Sequence, residues 1–479
     1  MLRHHQSVKT RIAAALVIGG CCTIGPLYAE QNETDPAATA AKTEECCERP
    51  EPKPISETTK RGLKYLISQQ HDNGGWGQGG GWRTNAKGGR DQGPNVKDPA
   101  DVGNTCMAVL ALLRAGNTPT SGPYSQELNR AVEFIQASVN KSDTTSIYVT
   151  DVRNTQLQSK IGIYVDTFLT GQVLAELKGK MPNAAAEEAL AASLSRTIDK
   201  IAKNQKSDGT FEGNRGWASV LSQGICSKAL NLAKAKGVRV SEEVLARDVK
   251  QAQASLIASA TPPTATPSTA SPTADVTAAA GRSVGYGYGG ALGSAISGAA
   301  VGGYGGGYGG GGGYGAGDAG VSLYSLSANT NRANAYGISS KAELKKLKSQ
   351  LEDKELADAD RTRIRQQVRF YEQAEVQQTA NVQRLAARAK DSRFIAGFGN
   401  NGGEEFLSYM NISESLFVKG GKEWQEWDQS ITKAIDGHQN NDGSWSGHHC
   451  ITGRTFCTSA AILCLLADRT PVPESGEEG

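Results

Sequence analysis

Three cysteines stand early in three apolar, helix-forming runs: Cys106 in GNTCMAVLAL, Cys226 in QGICSKALNL and Cys457 in GRTFCTSAAILCL. A helix N-terminus lowers a thiol pKa and favours the thiolate. The pattern therefore suggests a thiol-lined mouth, with His448, His449 and Cys450 close to the third cysteine. Metal binding, a disulfide such as Cys450–Cys457 and plain packing of small apolar side chains all fit the pattern. The chain contains no paired CxxC, so no metal ligands and no cofactor are assigned. Two lone carboxyls complete the set. Asp101 in ADVGNT reads as a helix N-cap. Asp166 in YVDTF stands inside a more apolar run and is the better candidate for an acid.

The elements that hold these residues repeat. The stretch Lys422–Asp468 runs from a helix (Glu423–Gly437) through HQNNDGSW to the apolar helix Phe456–Asp468. The same order occurs in KRGLKYLISQQHDNGGWG (Lys60–Gly77) and, with Phe211 in place of Trp, in IDKIAKNQKSDGTFEG (Ile198–Gly213). Asn and Asp-Gly supply turn conformations at low steric cost, and the aromatic residue can fold back onto the helices. Three such copies predict an array of helical hairpins.

At these residues the chain resembles the squalene cyclase and protein prenyltransferase repeats. Lys60, Gly62, Tyr65-Leu66-Ile67, Gln69, Gly75 and Trp76 are similar to their QW motif; Gln439, Gly443 and Trp445 match it again, and Gln205, Gly209 and Phe211 less closely. The resemblance implies an all-α fold, an α/α toroid with outer and inner helices around a central cavity, over roughly 56–257 and 398–468. Fold does not fix chemistry. The cyclases of this family protonate their substrate with a DxDD-type acid, and no DxDD or DDxxD occurs in this chain. Nor can the prenyltransferase Asp-Cys-His zinc set be matched position by position. Carbocation chemistry also favours an aromatic lining, whereas the inner helices offer only Tyr164, Phe168, Trp217, Phe406, Tyr409, Phe417 and Phe456.

Along the chain, residues 1–29 read as an export signal: Arg3, Lys9 and Arg11 precede an apolar run too short to span a bilayer. The alternative is a lipoprotein anchored at Cys21. Residues 30–55 read as a disordered tether containing Cys46-Cys47. The first part of the toroid, 56–257, is expected to end at a low-complexity, disordered insertion over 258–340. A charged helical or coiled-coil segment follows at 341–395, with Leu344, Leu347 and Leu351 on one stripe and a break at Ala357–Asp360. The last part of the toroid is placed at 396–468 and a polar tail at 469–479.

Across the 479 residues, 51 basic residues oppose 49 acidic ones, which argues against a nucleic-acid partner. Two functions remain open. The preferred one is an exported, non-catalytic toroid that binds a protein, glycan or lipid at its concave mouth and can self-associate through 341–390. The other is an isoprenoid cyclase or transferase with Asp166 as a non-standard acid.

Overall fold

Polar side chains with spare hydrogen-bonding capacity start some of the helices, and glycines stop several of them. Ser56 accepts the Thr59 N–H (3.1 Å) and opens α1 (Glu57–Gln69). Asp101 accepts the Asn104 N–H (2.8 Å) and opens α2 (Val102–Arg114), which Gly116 closes at φ 86°. The remaining helices are α3 (Ser125–Lys141), α4 (Gln156–Ile161), α5 (Val165–Leu177), α6 (Ala184–Asn204), α7 (Ser219–Ala235) and α8 (Glu242–Ala260). They continue with α9 (Ser322–Leu351), α10 (Asp358–Arg388), α11 (Ser392–Ile395), α12 (Gly403–Lys419), α13 (Gly421–Asp436) and α14 (Arg454–Leu465). The structure, a computed structural model, describes residues 51–80, 98–260 and 321–471, and among these all regular structure is helical.

The helices are of two kinds. α2, α5, α7, α12 and α14 are buried on almost every side, and their sequences are mostly apolar or small, with a few buried charges and amides. α1, α3, α6 and α13 bury a single stripe, such as Leu128, Ala131, Val132, Ile135 and Val139 in α3. The first kind pack in sequence: α2 on α5, α5 on α7, α7 on α9, α9 on α12, α12 on α14, and α14 back on α2. Each striped helix covers the outside of such a pair, α1 lying on α2 and α14, and α6 on α5 and α7.

The connector after three of the striped helices is one device used three times. Gln70, Gln205 and Gln439 each donate their amide to a backbone carbonyl of the next striped helix: Glu127 (2.8 Å), Val244 (3.2 Å) and Thr58 (2.8 Å). Each also accepts from an arginine one turn further on, Arg130, Arg247 and Arg61. The turn glycines Gly74, Gly209 and Gly443 lie at φ 82–89°, and a Cβ there would fall 2.3–2.6 Å from the carbonyl oxygen of that same arginine. Trp76 and Trp445 then fold back, donating Nε1–H to Leu66 O (2.7 Å) and Ile435 O (2.8 Å). This shifts the first copy by one residue from the sequence reading: Gln70 and Gly74 take the positions expected of Gln69 and Gly75. The physical reason is that Gln69 is still helical, and Gln70 is the residue that leaves α1 with an extended backbone (φ −64°, ψ 134°).

A second correction concerns the boundary expected at residue 340. α9 begins at Ser322, and Leu323, Tyr324, Leu326 and Ala328 are buried against α7, α8 and α12. Its Arg332 is fully buried and paired with Asp248 of α8 (2.7 Å). The helix is an inner member of the domain rather than part of an insertion. The charged helix α10 packs on α9 and α12 as its outer partner, and the chain breaks between α9 and α10 at Glu352–Ala357. Residues 261–320, which carry the Gly/Tyr run, and the expected signal, tether and tail over 1–50 and 472–479 lie outside the described residues.

Candidate functional site

The starts of α2, α5, α7, α9, α12 and α14 adjoin one another, held by side chain to backbone bonds. Asp166, in the first turn of α5, accepts from the Gly103 N–H of α2 (2.9 Å) and from Gln158 Nε2 of α4 (2.7 Å). Gln158 is itself fixed by its capping box with Thr155. Both Asp166 oxygens are thus engaged in tying three helices together. Burial raises its pKa, while these hydrogen bonds pull it down. Asp101 stands on the other side of Gly103. Burial and the charge of Asp166 push its carboxyl up to about 7. A Cβ on Gly103 would lie 3.0 Å from Asp166 Oδ1 and 3.6 Å from Asp101 Oδ1, so a side chain there would crowd the Asp166 carboxyl.

The cysteines do not form a mouth. Cys106, Cys226 and Cys457 are each fully buried, and burial drives the Cys106 and Cys226 thiols up. For these two, desolvation outweighs any helix-terminus effect because they stand inside their helices rather than at the exposed first N–H groups. Cys450 and Cys457 are both free thiols, so the disulfide considered between them is not formed.

His448 and His449 do lie at the rim. Their rings are 4.6 Å apart, and His449 Nε2 meets Asn400 O at 2.8 Å and Glu405 Oε2 at 3.4 Å. His449 packs edge-on to Phe398 (5.4 Å), which in turn packs edge-on to Trp217 (5.4 Å). Trp217 and Phe398 are 40% and 52% exposed, the largest exposed aromatics among the described residues. The Lys160 ammonium lies 5.9 Å from the Trp217 ring.

Sequence reasoning missed the acid beneath this rim. Glu404 and Glu405 open α12 and are completely buried. Glu405 is fully engaged, accepting from Phe398 N–H (2.9 Å), Gly402 N–H (3.2 Å) and the Tyr324 hydroxyl. Among the described residues Glu404 accepts the Ile451 N–H (3.0 Å) on Oε2 and has the Cys450 thiol as a side-chain neighbour, while its buried Oε1 has no hydrogen-bond partner. Burial, with Glu405 adding to it, raises Glu404 to about 8, so it is protonated at neutral pH. The two consecutive acids in NNGGEEFLSYM, ahead of an apolar run, were the available signal.

A second site lies toward the other ends of these helices. A cavity of about 50 Å³ is bounded by Arg114, Glu176, Lys228, Glu414, Asn331 and Asn334, among others. Arg114 and Glu176 form a two-armed pair, with Gln172 Nε2 donating to Glu176 Oε1 (3.1 Å). Burial alone would raise Glu176, but Arg114 outweighs it and holds the carboxyl below its ordinary value. Lys228 pairs with Glu414, and Asn331 Nδ2 donates to the same Glu414 oxygen (3.1 Å). These residues were legible too: α2, α5 and α12 each carry a charge late in an otherwise apolar or small run, as in ALLR, VLAEL and SESLF.

Comparison with family models, with curated proteins and with solved structures finds no match to this chain. Among the described residues no cluster of three or more His, Cys, Asp or Glu side chains is placed to hold a metal, and no helix is long and apolar enough to cross a membrane.

Proposed function

We propose that this chain is an exported α/α toroid of the squalene cyclase and prenyltransferase repeat kind, acting as a binding scaffold rather than a catalyst. The closed order of inner-helix packing, with striped helices outside, supports the toroid, as does the threefold Gln–Arg–Gly connector. Its partner is a polypeptide docked where the inner helices begin. The observation that carries this is the exposed edge-to-face series Trp217, Phe398 and His449, flanked by Lys160. Aromatic anchors surrounded by polar groups are what protein interfaces concentrate.

Two features weigh against isoprenoid chemistry. The inner helices bury small polar side chains, including Ser222, Ser227, Ser327, Thr330, Ser413 and Ser459, where a polyene would need hydrocarbon and aromatic walls. The cavity of about 50 Å³ is also smaller than the roughly 150 Å³ that a single benzene ring occupies in a protein core. One observation favours the enzyme reading instead. Glu404 combines a raised pKa with an unpartnered oxygen, which suits a general acid better than Asp166 does.

One comparison tests both readings. Wild-type protein and a Trp217→Ala/Phe398→Ala variant are purified from the native host and analysed by native mass spectrometry, and each is incubated with squalene. The expected result is a bound polypeptide on the wild type only, and no product. Equal retention by both proteins would overturn the docking face. A cyclised product that disappears in Glu404→Gln would establish the enzyme.

A further inference from the structure

The cavity between Arg114–Glu176 and Lys228–Glu414 is more polar than the fold requires. Asn334 of α9 borders it, is only 3% exposed, and neither its Oδ1 nor its Nδ2 has a partner among the described residues. The buried Arg114 Nε–H and Thr470 Oγ1, on residues that also border the cavity, are likewise unsatisfied. A buried amide left unpaired forfeits its hydrogen bonds to water, so such groups are normally matched by something. Here they belong to three separate segments that all border the space, together with two ion pairs.

We infer that this cavity is a binding site for a small zwitterion, an α-amino acid of glycine or alanine size. The groups match both ends of such a molecule. Arg114 Nε–H and Asn334 Nδ2 are donors for a carboxylate; Asn334 Oδ1 and the Glu414 carboxylate are acceptors for an ammonium. The two built-in ion pairs leave the lining neutral, which suits a ligand carrying both charges and disfavours a net anion or cation. Size agrees with this. One water-sized group needs about 10–15 Å³ of such space, so about 50 Å³ admits three to five, close to the heavy-atom count of glycine. A longer side chain exceeds this volume and would have to displace part of the lining, which includes Leu232, Ile338 and Val418. This site is independent of the docking face, and neither stands or falls with the other.

The test is isothermal calorimetry on the full chain with glycine, L-alanine and L-leucine, and with acetate and methylammonium as half-ligands. Glycine and alanine should bind at one equivalent, and leucine and both half-ligands should bind at least about tenfold more weakly, since each half-ligand forgoes one charge-assisted set of bonds. Asn334→Leu keeps the side-chain shape and should weaken glycine binding by at least about tenfold. Should that variant not fold, Ala335→Leu fills the cavity from the same helix and should abolish binding. Absence of glycine or alanine binding to the wild type would overturn the inference and leave structural waters as the occupants. Unchanged glycine affinity in either folded variant would overturn it as well.

Discussion

Gly62 lies against Trp445 of the last hairpin, and crowding that contact tests how the hairpins are held. A Cβ at Gly62 would sit 2.7 Å from Trp445 Cζ3 and 3.1 Å from Ile462 Cδ1. Glycine inside a helix ordinarily costs about 0.5–1 kcal/mol relative to alanine, so Gly62→Ala should stabilise if the contact were soft. It is not soft: Trp445 is fully buried, with Nε1–H on Ile435 O and its backbone N–H on Thr458 Oγ1 (2.9 Å). Overpacking of this kind costs about 1–3 kcal/mol, so the net effect of Gly62→Ala should be a loss of about 0.5–2 kcal/mol. Trp445→Phe removes the clashing ring edge. It also removes one donor from the Ile435 carbonyl, which keeps the His438 N–H (3.0 Å), for a loss of about 0.5–1.5 kcal/mol; Phe211 shows that the turn accepts a phenyl ring. In the double variant the clash with Trp445 is gone. The two changes should therefore be less destabilising together than their sum by about 1–2 kcal/mol. Urea unfolding at constant m measures each corner of the cycle. Stabilisation by Gly62→Ala alone, or strict additivity, would refute the claim that this tryptophan locks the first and last hairpins together.

Three further outcomes follow from the buried charges. Glu404 has a folded pKa near 8, above the ordinary 4.5, so its contribution is full below about pH 4.5 and is lost as pH rises toward 8. Stability should fall by about 3–5 kcal/mol over that window, at up to about 1.4 kcal/mol per pH unit for this group, and Glu404→Gln should make the decline shallower in urea midpoints measured from pH 5 to 8. Arg332→Met leaves Asp248 as an unpaired buried charge, which should cost about 3–5 kcal/mol; a melting temperature equal to wild type would return α9 to the status of an insertion. Asp166→Asn retains one acceptor but sets an amide against the Gln158 or Gly103 donor, and should lower stability by about 1–3 kcal/mol without altering product formation from squalene, which is expected to be nil.

Some of this was legible without coordinates. The repeated Gln, Gly and aromatic residues predict helical hairpins because each residue type has a local reason to stop a helix or cover its end. The striped α3 and the mostly apolar α2 distinguish outer from inner helices by period alone. Asp101 is read correctly as an N-cap for the same reason: capping is settled within a few residues of chain.

What local pattern does not contain is which surface a helix meets. The sequence SLYSLSANTNRANAYG looks too polar for a core, and only contact with α7, α8 and α12 makes it an inner helix, because Asp248 is there to neutralise Arg332 and Glu405 to accept from Tyr324. The cysteines fail as a mouth on the same ground. Their position early in a helix is a sequence property, but full burial is a tertiary one, and desolvation decides the thiol. Glu404 and the polar cavity complete the contrast. The sequence determined that charged residues stand within apolar helices; the packing of those helices alone decided which carboxylate finds a cation and which carries a proton.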